Sequence, residues 1–448
     1  MGLDSSLVGL SVSLNKLQIV RNGTFNRLAC LEELHLEYNS INSIEADAFF
    51  GMHSLKTIYL MNNNLSRFTH VFSNLPNLNK IYINNNHQLI ELETRAFNEL
   101  LNLDFIFLYE CQIAHIAADA FRALPNLTTL SLLFNKIQLL KRGVFTNLTN
   151  LITLQLHQNE ISQIEANSFA YLLGLETLTL FSNRLVLIES ETFNGLKNLK
   201  NLLLRKNFIQ DIEINAFSQV EKLLFLELSE NRLITLRNGT FRGASNLEIL
   251  YLSQNQIRHI EPDAFKRLKK LKTLNLSQNR IEFINFSFQE LTSLIYFEIS
   301  ENSLIHLKNF PSSNLIQLKM LNLSRNWLSD DTESNWLSKV LDNLIQLDLS
   351  YNEVKYLSRN LLKINNSYDQ SMPNNLDRLF LNNNGLKTIE SFAFASLTSL
   401  SYLNLASNSL EKLNTSAFNN LTNLVELSLN NNLLTHAPQL SQLKKYVS

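Results

Sequence analysis

One eleven-residue pattern governs this chain. Segments reading L-x-x-L-x-L-x-x-N-x-L begin at Leu7, Leu31, Leu55, Leu78, Leu103, Leu127, Leu151, Leu175, Leu199, Leu223, Leu247, Leu271, Leu294, Leu318, Leu344, Leu376, Leu400 and Leu424, 18 repeats with a period of 24. LETLTLFSNRL from Leu175 and LKTLNLSQNRI from Leu271 are representative. A unit this short cannot bury its apolar face alone, so neighbouring units must stack into a one-dimensional array. That requirement overrides the prior that 448 residues make about three domains.

The alternation L-x-L predicts a short strand with its leucines in the core. The ninth position is Asn in 17 of the 18 repeats, Cys111 being the exception. After the strand the chain turns, and buried backbone groups lose their sheet partners. An Asn amide offers donors and an acceptor, so a stacked column of them satisfies those groups in repeat after repeat. The column takes 17 of the roughly 60 Asn residues in the chain. Cys111 supplies a weak donor and a small apolar body at the same place. A second column reads Phe25, Phe49, Phe121, Phe145, Phe169, Phe193, Phe217, Phe241, Phe265, Phe394 and Phe418, with Phe72, Phe97 and Phe288 one residue out of phase. Its periodicity predicts a stacked aromatic spine in the core.

With Lys+Arg at 39 and Asp+Glu at 40 the formal charge is −1, which gives no reason to expect a nucleic-acid partner or an anionic membrane. No apolar run reaches the ~18 residues of a membrane span, so no direct membrane insertion is expected. Ten Gly and six Pro leave little room for flexible linkers. The opening MGLDSSLVGL lacks the basic region and apolar core of a signal peptide.

These repeats, with the frequent A-F-x-x-L segment (Ala48-Phe49, Ala96-Phe97, Ala120-Phe121, Ala216-Phe217, Ala264-Phe265), resemble the typical subclass of leucine-rich repeats. That subclass is found in extracellular proteins such as Toll-like receptors, chaoptin- and Slit-like adhesion and guidance proteins, and the acid-labile subunit of growth-factor complexes. The resemblance covers residues 7–447. It implies an α/β leucine-rich-repeat solenoid (a horseshoe) of about 18 repeats, with a parallel concave β-sheet and an irregular or short-helical convex side, as a single domain over 1–448.

Members of that group usually carry cysteine-bonded caps, and no recognisable cap is present here. The terminal leucines and valine (Leu10, Val12, Leu17, Leu427, Leu429, Leu434) are therefore expected to be poorly covered, as in a fragment of a larger secreted or membrane-anchored protein. Cys30 and Cys111 lie more than three repeats apart at roughly 4.8 Å per strand, too far for a disulfide, which needs Cα atoms within about 7 Å. Repeats are irregular over 318–375, where the Phe spine lapses from the Leu294 repeat onward. The stretch 329–341 reads as a capped helix with Ser329 or Asp330 at its start and Trp336, Leu337 and Leu341 facing the core. The stretch 364–375 reads as a polar loop.

The nine His form no HExxH and no Cys/His set with metal spacing, and there is no GxSxG, P-loop or GxGxxG, so neither an enzyme nor a cofactor is expected. Binding is the expected work. The third, fifth, seventh and eighth positions of each repeat point away from the core or border it. In the first half they place Tyr59, Met61, Tyr82, Phe105, Phe107, Tyr109, Phe134, Phe181 and Arg205 on one face, with Lys80, Lys206, Glu33, His35 and Glu37 as a polar rim. A second surface, Glu227, Tyr251, Tyr296, Glu298 and Asp348, is acidic with tyrosines and suits a basic ligand. Candidate N-glycosylation sequons stand at Asn22, Asn64, Asn126, Asn147, Asn238, Asn275, Asn285, Asn322, Asn365, Asn414 and Asn420; their number is what this composition gives by chance. Asn275 and Asn322 take outward strand positions, where glycans would obstruct the later half of the face. The expectation is a protein-recognition module at the cell surface or outside the cell. Its ligand would be a protein or co-receptor, and homodimerisation would be one route to output. The competing class is a secreted or intracellular scaffold or regulatory subunit that holds a partner protein.

Overall fold

The structure, a computed structural model, describes residues 6–68, 71–72, 74–97, 100–307, 310, 314–329, 337–341, 343–359, 361–362 and 375–437. It is a parallel-strand solenoid with two compact units, one of residues 1–227 with 242–244 and the other of 228–241 with 245–448. The first unit holds ten three-residue strands among its described residues, from Gly9–Ser11 to Phe225–Glu227; the second holds eight, from Ile249–Tyr251 to Glu426–Ser428. Within each unit neighbours pair in parallel with a register of one repeat, Glu33 opposite Thr57 and Thr273 opposite Tyr296. The middle residue of an interior strand, such as Leu34, Ile81 or Leu130, is fully buried. Each coil also has a return side, where two-residue strands such as Leu139–Leu140 and Gln163–Ile164 pair. No helix among the described residues is long and apolar enough to cross a membrane.

The Asn column works as the pattern predicts. Asn159 Nδ2 donates to Leu132 O at 2.9 Å and Leu156 O at 3.1 Å, and its Oδ1 accepts from Ile137 N–H at 3.1 Å. One amide thus ties its own strand exit to the preceding repeat. Asn183 repeats the pattern on Leu156 O, Leu180 O and Ile161 N–H. Cys111 keeps long thiol contacts to Ile83 O at 3.7 Å and Tyr109 O at 3.8 Å, so the weak-donor expectation holds. The reason the exchange is tolerated lies one repeat earlier. His87 and Gln88 separate Asn86 from Leu89 where the other repeats have one residue between Asn and the apolar position. The Leu89 N–H then reaches Asn86 O at 3.0 Å and needs no side-chain acceptor from residue 111.

A second Asn series, not read from the sequence, precedes the first leucine of several repeats. Asn77, Asn102, Asn126, Asn150 and Asn198 donate to His53 O, Pro76 O, Leu101 O, Pro125 O and Leu173 O at 2.7–2.9 Å. Cys30 occupies the equivalent position of its repeat and is exposed.

The aromatic spine stacks as the sequence predicts through the first repeats. From Phe25 through Phe49, Phe72, Phe97, Phe121 and Phe145 to Phe169, ring centroids lie 5.8–6.4 Å apart with near-parallel planes. The expected lapse begins one repeat later than the spacing indicates. Phe310 is buried in the Leu294 repeat with its ring 5.5 Å from Phe288, standing 16 residues after its leucine where the column's usual place is 18. Beyond it Leu337 and Leu341 are fully buried, as expected, together with Val340, and the helix is a single turn, Ser338–Leu341. Trp336, Asp330 and residues 364–374 of the expected loop lie outside the described residues.

The eighth position of every repeat is left-handed, from Leu14 at φ 57° through Glu110 at 52° and Phe134 at 55° to Asn431 at 55°. Such a conformation costs an ordinary residue roughly 1 kcal/mol, and it persists here because flanking backbone bonds fix it. The Phe134 N–H, for example, donates to His157 O at 3.2 Å. On the other side of the coil Gly195 has φ 88°, and a Cβ there would lie 2.6 Å from Ala170 Cα. At the ends, Leu10, Val12, Leu427, Leu429 and Leu434 are only half-buried and Leu17 is exposed, the incomplete cover expected of them.

Candidate functional site

Side chains at positions three, five and seven of each repeat lie on the open face of the sheet, opposite the core, because strand residues alternate sides. The one-repeat register then stacks equivalent positions. At position five this builds a ring column: His35 on Tyr59 at 4.3 Å, Tyr59 on Tyr82 at 4.9 Å and Tyr82 on Phe107 at 4.8 Å, all within 11° of parallel. Phe105 lies beside Phe107 in the same strand, 6.2 Å away and coplanar in orientation, with Lys80 Nζ 5.3 Å from its centroid. Five of the residues named from the sequence, Tyr59, Met61, Tyr82, Phe105 and Phe107, are half-buried in or beside this column, and Tyr109 follows at position seven. Mutual stacking hides ring faces and leaves edges and hydroxyls toward solvent.

The column is flanked by charge. His35 sits between two carboxylates, Nε2 3.7 Å from Glu33 and Nδ1 3.3 Å from Glu37. Burial, with the nearby Glu33 and Glu37 charges, pushes the Tyr59 hydroxyl above the usual tyrosine value; burial and then Glu110 do the same to Tyr109. Two buried acceptors on this face lack a protein partner: Glu37 Oε2 and Asn84 Oδ1, the latter on a residue 5% exposed between Met61 and Tyr109 in the seventh-position series. Beside the third-position edge lies a shallow polar depression of about 460 Å³ lined by Glu33, Lys56, Asn79 and Lys80 among others.

The remaining first-half candidates run on along position seven. His157 and Phe181 stack at 4.1 Å, and burial lowers the His157 imidazole below its ordinary value while its Nδ1 meets Thr179 Oγ1 at 2.7 Å. Arg205 is exposed two residues beyond the strand Asn201–Leu203, and Phe134, at the left-handed eighth position, is 43% exposed. Between Phe107 and these residues, position five turns polar at Ser131, Gln155 and Thr179, so the aromatic surface crosses from one series to the next at Tyr109.

Of the second candidate surface, Glu227 belongs to the first unit, and Tyr251, Tyr296, Glu298 and Asp348 to the second. Its carboxylates are already engaged. Glu298 accepts from Ser300 N–H at 3.2 Å and Asn322 Nδ2 at 3.0 Å, and Asp348 accepts from Ser350 N–H at 2.9 Å. Burial nonetheless raises the Glu298 carboxyl above the usual range, with Asp348 adding to it while Ser300 and Asn322 pull it back. Asn275 and Asn322 are half-buried on their strands, with Oδ1 accepting from Ser277 and Ser324 N–H. Among the other sequons Asn22, Asn64, Asn126, Asn147, Asn238, Asn285, Asn414 and Asn420 are exposed, and Asn365 lies outside the described residues. No group of three or more His, Cys, Asp or Glu among the described residues is placed to hold a metal ion.

Sequence reasoning placed the aromatics and their rim and missed Asn84. Its place in the repeat was readable; that its Oδ1 is buried without a partner was not.

Comparison with known proteins places these features in a family. The leucine rich repeat family model matches residues 5–65, 31–87, 76–137, 226–281 and 374–436, more than half of the chain, and a BspA type leucine rich repeat region model matches 114–248. Osteomodulin of Bos taurus is 35% identical over 112 residues, 24% of this chain and 26% of that protein, so the match spans about a quarter of the relative's own length. A leucine-rich-repeat protein of Leptospira interrogans superposes with a TM-score of 0.64 at 26% identity, covering 95% of this chain and 97% of that one. The Toll–Spatzle complex of Drosophila, described as a hub in development and innate immunity, superposes at 0.69 and 18% identity, covering 95% of this chain and 74% of its counterpart. This last likeness is one of fold alone.

Proposed function

Starting from a chain that belongs to the leucine-rich-repeat family, we propose that it is a protein-recognition module of the ectodomain of a cell-surface receptor or adhesion protein, holding a protein ligand on the open face of its first unit. The observation that carries this is the four-ring column His35, Tyr59, Tyr82 and Phe107, with Phe105 beside it. A rigid, pre-stacked aromatic surface loses little conformational freedom on association, and aromatics of this kind are the usual anchors of protein interfaces. The similarity to osteomodulin supports a place outside the cell. Work of this sort needs no chemistry: the ligand is held, and no bond is made or broken.

The test is cross-linking capture of partners from extracellular material by wild type and by a Phe105→Glu, Phe107→Glu double variant. The expected result is a stoichiometric partner that the folded variant no longer captures. Equal capture by both proteins would mean that the rings serve the sheet alone.

A further inference from the structure

We propose that the His35 end of the ring column is a slot for an arginine side chain, so that the ligand of this face presents an arginine-bearing segment. The proposal rests on the reading of this face as a protein interface and adds the chemistry of the group it takes.

The slot owes its opening to the small residues beyond His35 in the stack. One face of the imidazole is covered by Tyr59; the next residue in register on the other side is Ser11. The outward residues of that strand and its exit are Gly9, Ser11 and Ser13, all small, and a Cβ added at Gly9 would meet nothing within 4 Å. Among the described residues no second ring stacks on the imidazole, and the residue in register with it on that side is a serine. At its other end Phe107 is followed by Ser131, which is 1% exposed, so no equivalent opening exists there.

Carboxylates stand on both sides of that ring. Glu33 is 56% exposed at its side chain, and Glu37 is mostly buried with Oε2 lacking a hydrogen-bond partner. A planar cation stacked on the imidazole would lie between them. A guanidinium meets all three features at once: it stacks on an aromatic face, its fork of N–H donors matches carboxylates, and it stays charged. An ammonium would gain the charge term and lose the stacking.

The wider field agrees. In the repeats from Leu31 to Leu103, the third, fifth, seventh and eighth positions carry three carboxylates, Glu33, Glu37 and Glu110, against one ammonium, Lys80, which is drawn toward Phe105. An acidic segment would meet like charge at the slot, and a neutral one would bring no counter-charge to the two carboxylates.

The experiment uses the full chain and fluorescently labelled peptides of four Arg-Ser, Lys-Ser or Glu-Ser units, read by anisotropy at low and moderate salt. The Arg peptide is expected to bind at least about tenfold tighter than the Glu peptide, with the Lys peptide between them. Glu33→Gln with Glu37→Gln is expected to cost about tenfold or more and to flatten the salt dependence. Ser11→Trp, which fills the opening without touching a carboxylate, is expected to block the Arg peptide equally, and far-UV circular dichroism checks that each variant folds. Absent or charge-indifferent binding, or affinity untouched by both variants, overturns the proposal. If that happens while the Phe105→Glu, Phe107→Glu variant still loses its captured partner, the interface stands and only the arginine assignment falls. If capture is also unchanged, the interface falls with it.

Discussion

Replacing Asn159 by alanine measures the contribution of the amide column. Besides a longer contact to His157 O at 3.4 Å, the substitution removes two short donated bonds, to Leu132 O and Leu156 O, and one accepted from Ile137 N–H. The three losses differ. Leu132 O is also held by Asn135 Nδ2 at 2.9 Å, and Leu156 O by Asn183 Nδ2 at 2.9 Å, so each carbonyl keeps a partner. The Ile137 N–H is left with none. An orphaned buried donor costs about 1–3 kcal/mol and each of the other bonds about 1 kcal/mol, giving roughly 3–5 kcal/mol for Asn159→Ala. Cys111→Asn is the control. Leu89 N–H already has Asn86 O at 3.0 Å, and Ile83 O already receives Asn86 Nδ2, so the new amide should change stability by no more than about 1 kcal/mol. Equilibrium urea unfolding gives both values, and hydrogen exchange at the Ile137 amide localises the first. A loss below about 1 kcal/mol for Asn159→Ala, a gain above about 2 kcal/mol for Cys111→Asn, or unchanged protection at Ile137 would refute the accounting.

Titrating groups give two more expected outcomes. Burial pushes the Cys111 thiol up to about 12 while Cys30 is exposed, so a thiol reagent at mildly alkaline pH should label Cys30 promptly and Cys111 only in denaturant, as peptide mapping would report; early labelling of Cys111 would contradict its burial. Glu298 has a folded value above the ordinary one, so the folded chain holds that proton more tightly than the unfolded chain; its contribution is present below the ordinary glutamate value and is lost as pH rises through the raised one. Wild type should therefore lose stability relative to Glu298→Gln as pH rises from the ordinary glutamate value through the raised one, measured as paired melting temperatures, and a gap that does not change with pH would count against the shift.

How much of this was legible in the sequence depends on whether a feature recurs. The strands, the Asn column and the Phe spine come from identical residues at a fixed spacing, and the period alone finds them. The left-handed eighth position recurs just as strictly, yet it is filled by Tyr38, Glu110, Phe134 and Lys206, none of which announces that conformation, since the neighbouring backbone imposes it. The satisfaction of Leu89 stems from a repeat one residue long, and Phe310 joins the spine from two places before the column's usual position, so neither shows in the fixed spacing. For the candidate site, composition placed the rings and the rim. The open end at Ser11 was hidden because the decisive property there is small size, which a search for aromatic and charged residues passes over.

The shared carbonyls also bear on how such a chain drifts over time. Because each strand-exit carbonyl is held by two successive amides, losing one Asn thins a support without removing it; losing two in a row strips the carbonyl between them bare. Isolated gaps are therefore survivable where adjacent gaps are not, and a gap is safest beside an insertion that redirects the stranded N–H. The single break in this column, at Cys111, has an intact amide on either side and an extra residue in the repeat before it.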